Sequence, residues 1–186
     1  MTEEAVRASP MTVFTPIRPR LVWLSRLGYR IVNHLPWFVG TLRKLSFIHF
    51  AQWSFVNDLP FNGAPQRRER LRYTYLYFES NFNGTTEDYL DAFAYALPMR
   101  IRSTWSGSFG FPGPLPTEPF KKYVGDNDFK ADHYYSAYPD ASTTEILAAL
   151  RLHKRWTAFQ AESAELTAEQ FAFAYRRLVR DVQGDL

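Results

Sequence analysis

The segment LRYTYLYFESNFNGTTEDYLDAFAYAL, residues 71–97, predicts a strand, a tight turn and a helix in succession. Residues 71–80 are rich in Tyr, Thr and Phe, which favour β-strands. An Asn-Phe-Asn-Gly turn follows, and Thr85 with Asp88 three positions later is typical of a helix N-terminus. Pro98 then ends the helix. The apolar positions of this helix recur at intervals of three and four and are Leu90, Phe93, Ala94 and Leu97.

Two other segments have the composition of strands. FIHFAQWSFV, residues 47–56, is apolar on both alternating faces, which predicts a central strand covered on both sides. DHYYSAY, residues 132–138, predicts a third strand. Residues 99–105 indicate either a strand or an extended exit from the preceding helix. Residues 106–130 are interrupted by Gly and Pro and predict a long loop with little regular structure, a feature that is often functional.

The remaining helices define the expected domain organisation. Residues 20–35 show a helical apolar period, and two capping pairs, Ser142 with Glu145 and Thr167 with Gln170, each open a helix near the C-terminus. We therefore expect an extended arm over 1–19, a basic amphipathic helix within 20–40 and a single α+β domain over 41–186.

Composition limits the class of protein. The 186 residues are 46% hydrophobic and 17% aromatic, which is typical of a globular chain with one large core. The absence of cysteine excludes disulfides, thiolate-ligated metal centres and a thiol nucleophile. No secretory signal and no run of about 18 apolar residues is present, so we expect a cytoplasmic protein that does not span a membrane.

Charge is distributed unevenly along the chain. No acidic residue occurs between Glu4 and Asp58, although the net charge is only +3. The predicted helix in this interval has an apolar face with Leu and Ile beside Trp23, and basic residues at Arg20, Arg26 and Arg30. Such a helix packs against its own domain, lies on the inner face of an anionic membrane, or binds a partner protein. Nucleic acid is a less favoured partner, because no known reader motif accompanies these residues.

Three stretches carry a family resemblance: SFIHFAQW, LYFESNFNGTTEDYLDAF and DHYYSAYP. They resemble a group of actinobacterial proteins similar to the dimeric α/β-barrel class of ferredoxin-like folds. In that class a strand ends in a Phe-Ser/Glu-Asn-Tyr/Phe-Asp/Asn-Gly turn and leads into a helix that contains Tyr-Leu. The matching residues here are Phe78, Glu79, Ser80, Asn81, Phe82, Asn83 and Gly84, then Tyr89 and Leu90. The resemblance covers roughly residues 45–160.

The resemblance implies a ferredoxin-like antiparallel sheet with helices on one face. A second sheet would cover the other face, so a homodimer is implied. The class includes haem-binding peroxidases, haem-degrading monooxygenases, small cyclases and ligand binders. The N-terminal helix, the loop over 106–130 and the last helix are additions to that layout.

Three side chains are candidates for chemistry. His49 lies within a predicted strand among aromatic residues, where it is a haem ligand, a general acid or base, or a hydrogen-bonded interior histidine. If residues 99–105 are extended, Arg100 and Arg102 point the same way and could bind a carboxylate or phosphate together. Otherwise they form salt bridges with acids such as Glu79 or Asp91.

Other residues are candidates for ligand contact. Glu79 ends an aromatic strand, where it is either a proton carrier or an arginine partner. The aromatic side chains Trp53 and Trp105 and the imidazole of His133 complete the candidate set. No two histidines have metal-binding spacing, and the glycines at 107, 110 and 113 form no nucleotide-binding motif, so no metal site is predicted.

Two functions of different classes follow. The leading hypothesis is a homodimeric domain with an aromatic-lined pocket for a small apolar or aromatic molecule, acting as a binder or as an enzyme on that molecule. Haem is one candidate for this molecule. The alternative is a non-catalytic accessory subunit that uses its basic N-terminal segment to bind a membrane surface or a partner protein.

Overall fold

The computed structural model describes residues 8–33 and 45–185. The chain divides into two compact units, Met1–Asp140 and Ala141–Leu186. The first unit contains β1 (Ala8–Pro16), a 3-10 turn (Pro19–Leu21), α1 (Val22–Asn33), β2 (Ile48–Asp58), β3 (Arg70–Asn83), α2 (Thr86–Ala96), α3 (Pro98–Trp105) and α4 (Thr117–Asp126). The second contains α5 (Thr143–Ser163), α6 (Ala168–Val182) and a 3-10 turn (Gln183–Asp185). The expected mixed α+β class is confirmed.

The sheet of the first unit has three antiparallel strands in the order β1-β3-β2. β3 is its central strand, and Phe78 lies between Val13 of β1 and Trp53 of β2. A ferredoxin-like sheet has four strands, and the described residues form three. The ferredoxin-like arrangement therefore stays a prediction.

Alternation along β3 separates the two faces of the sheet. Leu76, Phe78 and Phe82 are almost fully buried, and they pack with residues of α2, α3 and α4 in one hydrophobic core. The Phe78 ring lies 5.0 Å from that of Trp53 and 5.2 Å from that of Trp105. Phe78 thus joins two strands and a helix.

The link between β3 and α2 is shorter than the predicted turn over 81–84, because β3 continues through Asn83 and only Gly84 and Thr85 connect it to α2. Gly84 adopts a φ of +97°, a conformation that costs glycine little because it has no Cβ. The Thr85 hydroxyl then accepts a hydrogen bond of 3.2 Å from the Asp88 amide and caps α2. Tyr89, one turn into the helix, stacks on Phe82 of β3 with ring centroids 4.0 Å apart. This contact fixes the helix against the strand that precedes it.

Two strand assignments need correction. Residues 47–56 do form a strand, but β2 lies at an edge of the sheet and is not central, because β3 separates it from β1. Residues 8–16 were expected within an extended arm. They are extended, but they pair with residues 75–83, the C-terminal part of β3. Met11 and Val13 of this segment are buried in the core, so it is a structural strand and not an arm.

Two segments expected to lack helix are helical. Pro98 begins α3 and does not lead to a strand, because a proline at the first helical position loses no hydrogen bond. Ile101 and Trp105 are one turn apart on α3, and both are buried in the core. Within the predicted loop 106–130, α4 buries Phe120, Tyr123 and Val124. Packing against the core stabilises both short helices.

The third predicted strand is wrong. Residues 132–138 have no regular structure, and Tyr135 is 79% exposed. The segment just before it, residues 127–129, instead lies along the free edge of β1. The Phe129 amide donates a hydrogen bond of 2.6 Å to the Thr12 carbonyl, and the Phe14 amide donates one of 3.0 Å to the Asn127 carbonyl. Tyrosines favour strands only where a partner strand and a packing surface exist.

The helix predicted over 20–35 corresponds to a 3-10 turn and α1. Its expected end near Leu35, the stretch to residue 40 and the basic pair Arg43 and Lys44 lie outside the described residues.

The second unit is an antiparallel helical hairpin. Both predicted capping pairs are confirmed, since Ser142 with Glu145 opens α5 and Thr167 with Gln170 opens α6, each as a reciprocal capping box. Phe159 is buried between the helices, with its ring 5.4 Å from Phe171 and 6.1 Å from Tyr175.

We expect the Phe78→Ala substitution to lower the free energy of unfolding by about 3–5 kcal/mol, because it leaves a cavity between Trp53, Phe93 and Trp105. Denaturant unfolding followed by near-ultraviolet circular dichroism measures the change. Tyr135→Ala is the matched control and should alter stability by less than about 0.5 kcal/mol. Similar losses for both variants would show that Phe78 does not hold the core.

Candidate functional site

α1 is docked on the first unit by its polar side. The Tyr29 ring meets that of Phe55 edge-on at 5.2 Å and lies against the hydrophobic core. The guanidinium of Arg26 lies over the Phe55 ring and donates a hydrogen bond of 2.8 Å to the Asn57 side chain. The face of α1 that contains Tyr29 and Arg26 is therefore the face that contacts the sheet.

The opposite side of α1 forms an exposed apolar stripe, which we call the α1 outer stripe. Trp23 is 66% exposed and Ile31 is 54% exposed. At 100° per residue, all members of the stripe fall within about one quarter of the helix circumference. The members are Trp23, Leu24, Leu27 and Ile31. Of the alternatives open for this face, packing on the described residues of its own unit is not observed, because these side chains remain exposed.

Exposed arginines lie close to the α1 outer stripe. Arg20 precedes the helix, Arg30 is adjacent to Ile31 within it, and α1 contains no acidic residue. The helix that contacts it, α3, also lacks acids and carries Arg100 and Arg102. An exposed apolar stripe bordered by cations is typical of a helix that lies on an anionic surface.

The outer sheet face, opposite the core, carries a second group of functional side chains. Glu79 of β3 lies between Thr12 of β1 and Gln52 of β2. Its Oε2 atom accepts hydrogen bonds from the Gln52 amide at 2.6 Å and from the Tyr77 hydroxyl. The Phe14 ring packs beside Tyr77, with centroids 5.0 Å apart. The outer sheet face thus presents a fixed carboxylate among aromatic rings.

Tyr77 is the titratable group most affected by this arrangement. Burial, together with the hydrogen bond to the Glu79 carboxylate and the charge of that carboxylate, raises the pKa of Tyr77 to about 12. The ionised phenol would stand next to a carboxylate, so the neutral form is favoured. Tyr77 is therefore a hydrogen-bond donor to Glu79 over the physiological pH range.

His49 lies at a bulge of β2, between the residues paired with Phe82 and Asn81 of β3. Its Nε2 atom is enclosed by protein and makes no hydrogen bond with the described residues. A haem iron needs an open position at an imidazole nitrogen. The enclosed Nε2 of His49 does not fit that requirement, so the arrangement gives no support to haem ligation.

Two candidate ligand-binding aromatics belong to the core. The rings of Trp53 and Trp105 both contact Phe78, and Trp105 is 2% exposed. They are brought together, but on the face of the sheet opposite to Glu79. Their place is the hydrophobic core and not the outer sheet face.

Arg100 and Arg102 are not brought together. On a helix, residues two positions apart point about 200° from each other, whereas the expected strand would have aligned them. Arg100 is buried, which lowers the pKa of its guanidinium below the ordinary value, and Arg102 is exposed. The acid expected as a partner, Asp91, pairs with Lys121 at 2.7 Å, and Glu79 pairs with Gln52 and Tyr77.

His133 is exposed in the irregular segment that precedes the second unit. Within residues 8–33 and 45–185, no group of three or more histidines and acids could hold a metal ion. No helix in the part of the chain that the structure describes is long and apolar enough to cross a membrane.

Two side chains of the outer sheet face are not among the residues expected from the sequence. Tyr77 and Gln52 hold Glu79, and the alternation of β3 already placed Tyr77 on the same face as Glu79. The pairing of Gln52 with Glu79 had no local signal, because it depends on the register between two strands.

No protein-family model, no curated protein and no solved structure matches this chain. The resemblance to dimeric α/β barrels therefore stays a prediction, and function has to be argued from the α1 outer stripe and the outer sheet face.

We expect Glu79→Gln to lower the pKa of Tyr77 from about 12 towards its ordinary value near 10, because the neighbouring negative charge is removed. Because this pKa is raised on folding, the stability contribution of Tyr77 is present below pH 10 and is lost as the pH rises towards 12. Tyrosine-selective NMR titration measures the pKa, with Tyr77→Phe to assign the signal. An unchanged titration in the Glu79 variant would contradict the proposed cause.

Proposed function

We propose that this protein is a membrane-peripheral accessory module that lies on an anionic bilayer through the α1 outer stripe. The observation that carries this proposal is the orientation of α1. Its polar face is occupied by contacts of Tyr29 and Arg26 with β2, and its apolar face is left exposed. A helix held in this orientation presents Trp23 and its neighbours without any rearrangement of the unit.

The chemistry of the stripe favours lipid over water and over a neutral surface. Tryptophan and leucine side chains partition into the boundary between headgroups and acyl chains, where an amphipathic helix lies in the membrane plane. Each arginine near an anionic membrane adds about 1 kcal/mol of attraction. Arg20 and Arg30 are both exposed for such contacts. α1 and α3 contain no acidic residue that anionic headgroups would repel.

We expect the wild-type chain to sediment with vesicles of phosphatidylcholine and phosphatidylglycerol and not with phosphatidylcholine alone. Trp23→Ser with Leu27→Ser should abolish binding, because the apolar contact is lost. Replacing Arg20 and Arg30 by Gln should weaken binding about five-fold per residue and reduce its salt dependence.

The matched control is Phe129→Ser with Tyr135→Ser, which removes equally exposed aromatics from another part of the first unit. This control should bind as the wild type does. Failure of the wild-type chain to bind anionic vesicles, or equal binding by the Trp23 and Leu27 variant, would refute the proposal. Circular dichroism of all variants checks that the fold is retained.

A second candidate function uses the outer sheet face as a site for a small apolar or aromatic molecule. Its support is the fixed Glu79 carboxylate with Phe14, Tyr77 and the exposed Phe50 on the same sheet. The resemblance to dimeric α/β barrels implies that a second sheet would cover this face. In that arrangement the rings would line the space between two copies, and Glu79 would bind a hydrogen-bond donor of the ligand.

For this second function we expect the fluorescence of N-phenylnaphthylamine, a neutral aromatic amine, to rise on addition of the protein. Tyr77→Ser with Phe50→Ser should weaken this binding several-fold, because the aromatic contacts are removed. Trp23→Ser, which alters only the α1 outer stripe, is the control and should leave it unchanged. A loss confined to the Trp23 variant would assign dye binding to α1 and exclude the sheet site.

A further inference from the structure

The helical hairpin of the second unit carries an exposed aromatic knob with opposite charges on its two sides. Phe173 of α6 is 69% exposed. On the side towards the hairpin tip, a shallow groove beside it is lined by Glu162, Leu166, Glu169, Gln170 and Ala174. On the side towards the hairpin base, a second groove is lined by Arg176, Arg177, Arg180 and Asp181. We call this surface the Phe173 face.

Charges on the Phe173 face are mostly unpaired within the chain. Glu162 and Glu169 are exposed and form no ion pair with any described residue. Arg180 likewise has no acidic partner among the described residues, and Arg177 makes only a long contact of 3.9 Å with Asp181. The face therefore keeps an acidic end and a basic end available for a partner.

The arrangement is complementary to itself. Glu169 lies four residues before Phe173 and Arg177 four residues after it, so all three lie on one side of α6. A two-fold axis that passes beside Phe173 would bring Glu169 of one copy close to Arg177 of the other, twice in the same contact. Isologous interfaces require this kind of symmetry about their centre. A partner of different sequence would not need charges with this two-fold symmetry.

We propose that the Phe173 face binds a second copy of this chain, so that two hairpins pack antiparallel as a four-helix bundle. Phe173 of each copy would enter the groove beside Ala158 and Ala174 of the other. The smaller side chains there leave room for a ring between the helices. The contact uses only the second unit, so it does not depend on the α1 outer stripe or on the outer sheet face.

The size of the face predicts the strength of this contact. α6 has 15 residues and is about 22 Å long, and two helices side by side are about 20 Å wide. Each copy would bury on the order of 400 Å², about half of what a standard stable interface buries. We therefore expect a weak dimer that forms with increasing concentration, with a dissociation constant in the micromolar range or above.

Sedimentation velocity of the full chain over a wide concentration range tests the proposal. Phe173→Ser should abolish the concentration-dependent dimer. Glu169→Arg alone and Arg177→Glu alone should each weaken it about ten-fold, because each creates two repulsive contacts across the axis. The double variant, which exchanges the two charges within one chain, should restore wild-type association.

Controls separate this contact from the other surfaces. Leu150→Ser removes an apolar side chain of α5 that is 59% exposed and lies outside the three grooves that border Phe173, and Tyr77→Ser alters the outer sheet face; both should leave the Phe173 dimer intact. A wild-type chain that stays monomeric, or a double variant that associates no better than the single ones, would overturn the proposal. Loss of vesicle binding in the Phe173 variant, with no change in association, would assign this face to lipid and would also overturn it.

Discussion

Packing of Phe78 between two strands and two helices is the interaction on which the first unit depends. Its ring contacts Trp53, Phe93 and Trp105, which belong to β2, α2 and α3. Because side chains alternate along a strand, burial of Phe78 also fixes Tyr77 and Glu79 on the opposite face. The aromatic core and the hydrogen-bonded carboxylate of the outer sheet face are thus two results of one register. A shift of β3 by one residue would exchange them.

The same core determines how α1 is presented. The ring of Phe55 in β2 contacts Tyr29 and Arg26, so the side of α1 that carries these two residues faces the sheet. Val22 on the same side of α1 also packs against the core, and the leucines of the helix are left exposed. The result is an exposed apolar surface with arginines close to it. Such a surface is costly in water, and the proposed binding to an anionic bilayer would account for that cost.

The two proposed contacts depend on different interactions. Membrane binding through α1 combines apolar transfer with attraction between arginines and anionic headgroups, so it requires only one copy of the chain. Association through the Phe173 face depends on self-complementary charge about a central ring, so it requires two. If both operate, a dimer presents two membrane-binding helices, and the second helix binds at a high effective concentration.

Local features of this protein were determined by its sequence alone. The strands near 47–56 and 71–80, the Gly84 turn and the three capped helices were predictable, because turn chemistry, caps and periodicity act over a few residues. Tertiary structure decided the rest. Residues 8–16 form a strand because they pair with the edge of β3. Residues 98–105 form a helix that buries Ile101 and Trp105 in the core. Residues 132–138 pair with no strand of the described sheet. The outward face of α1 and the pairing of Gln52 with Glu79 also depend on residues distant in sequence, which no local pattern records.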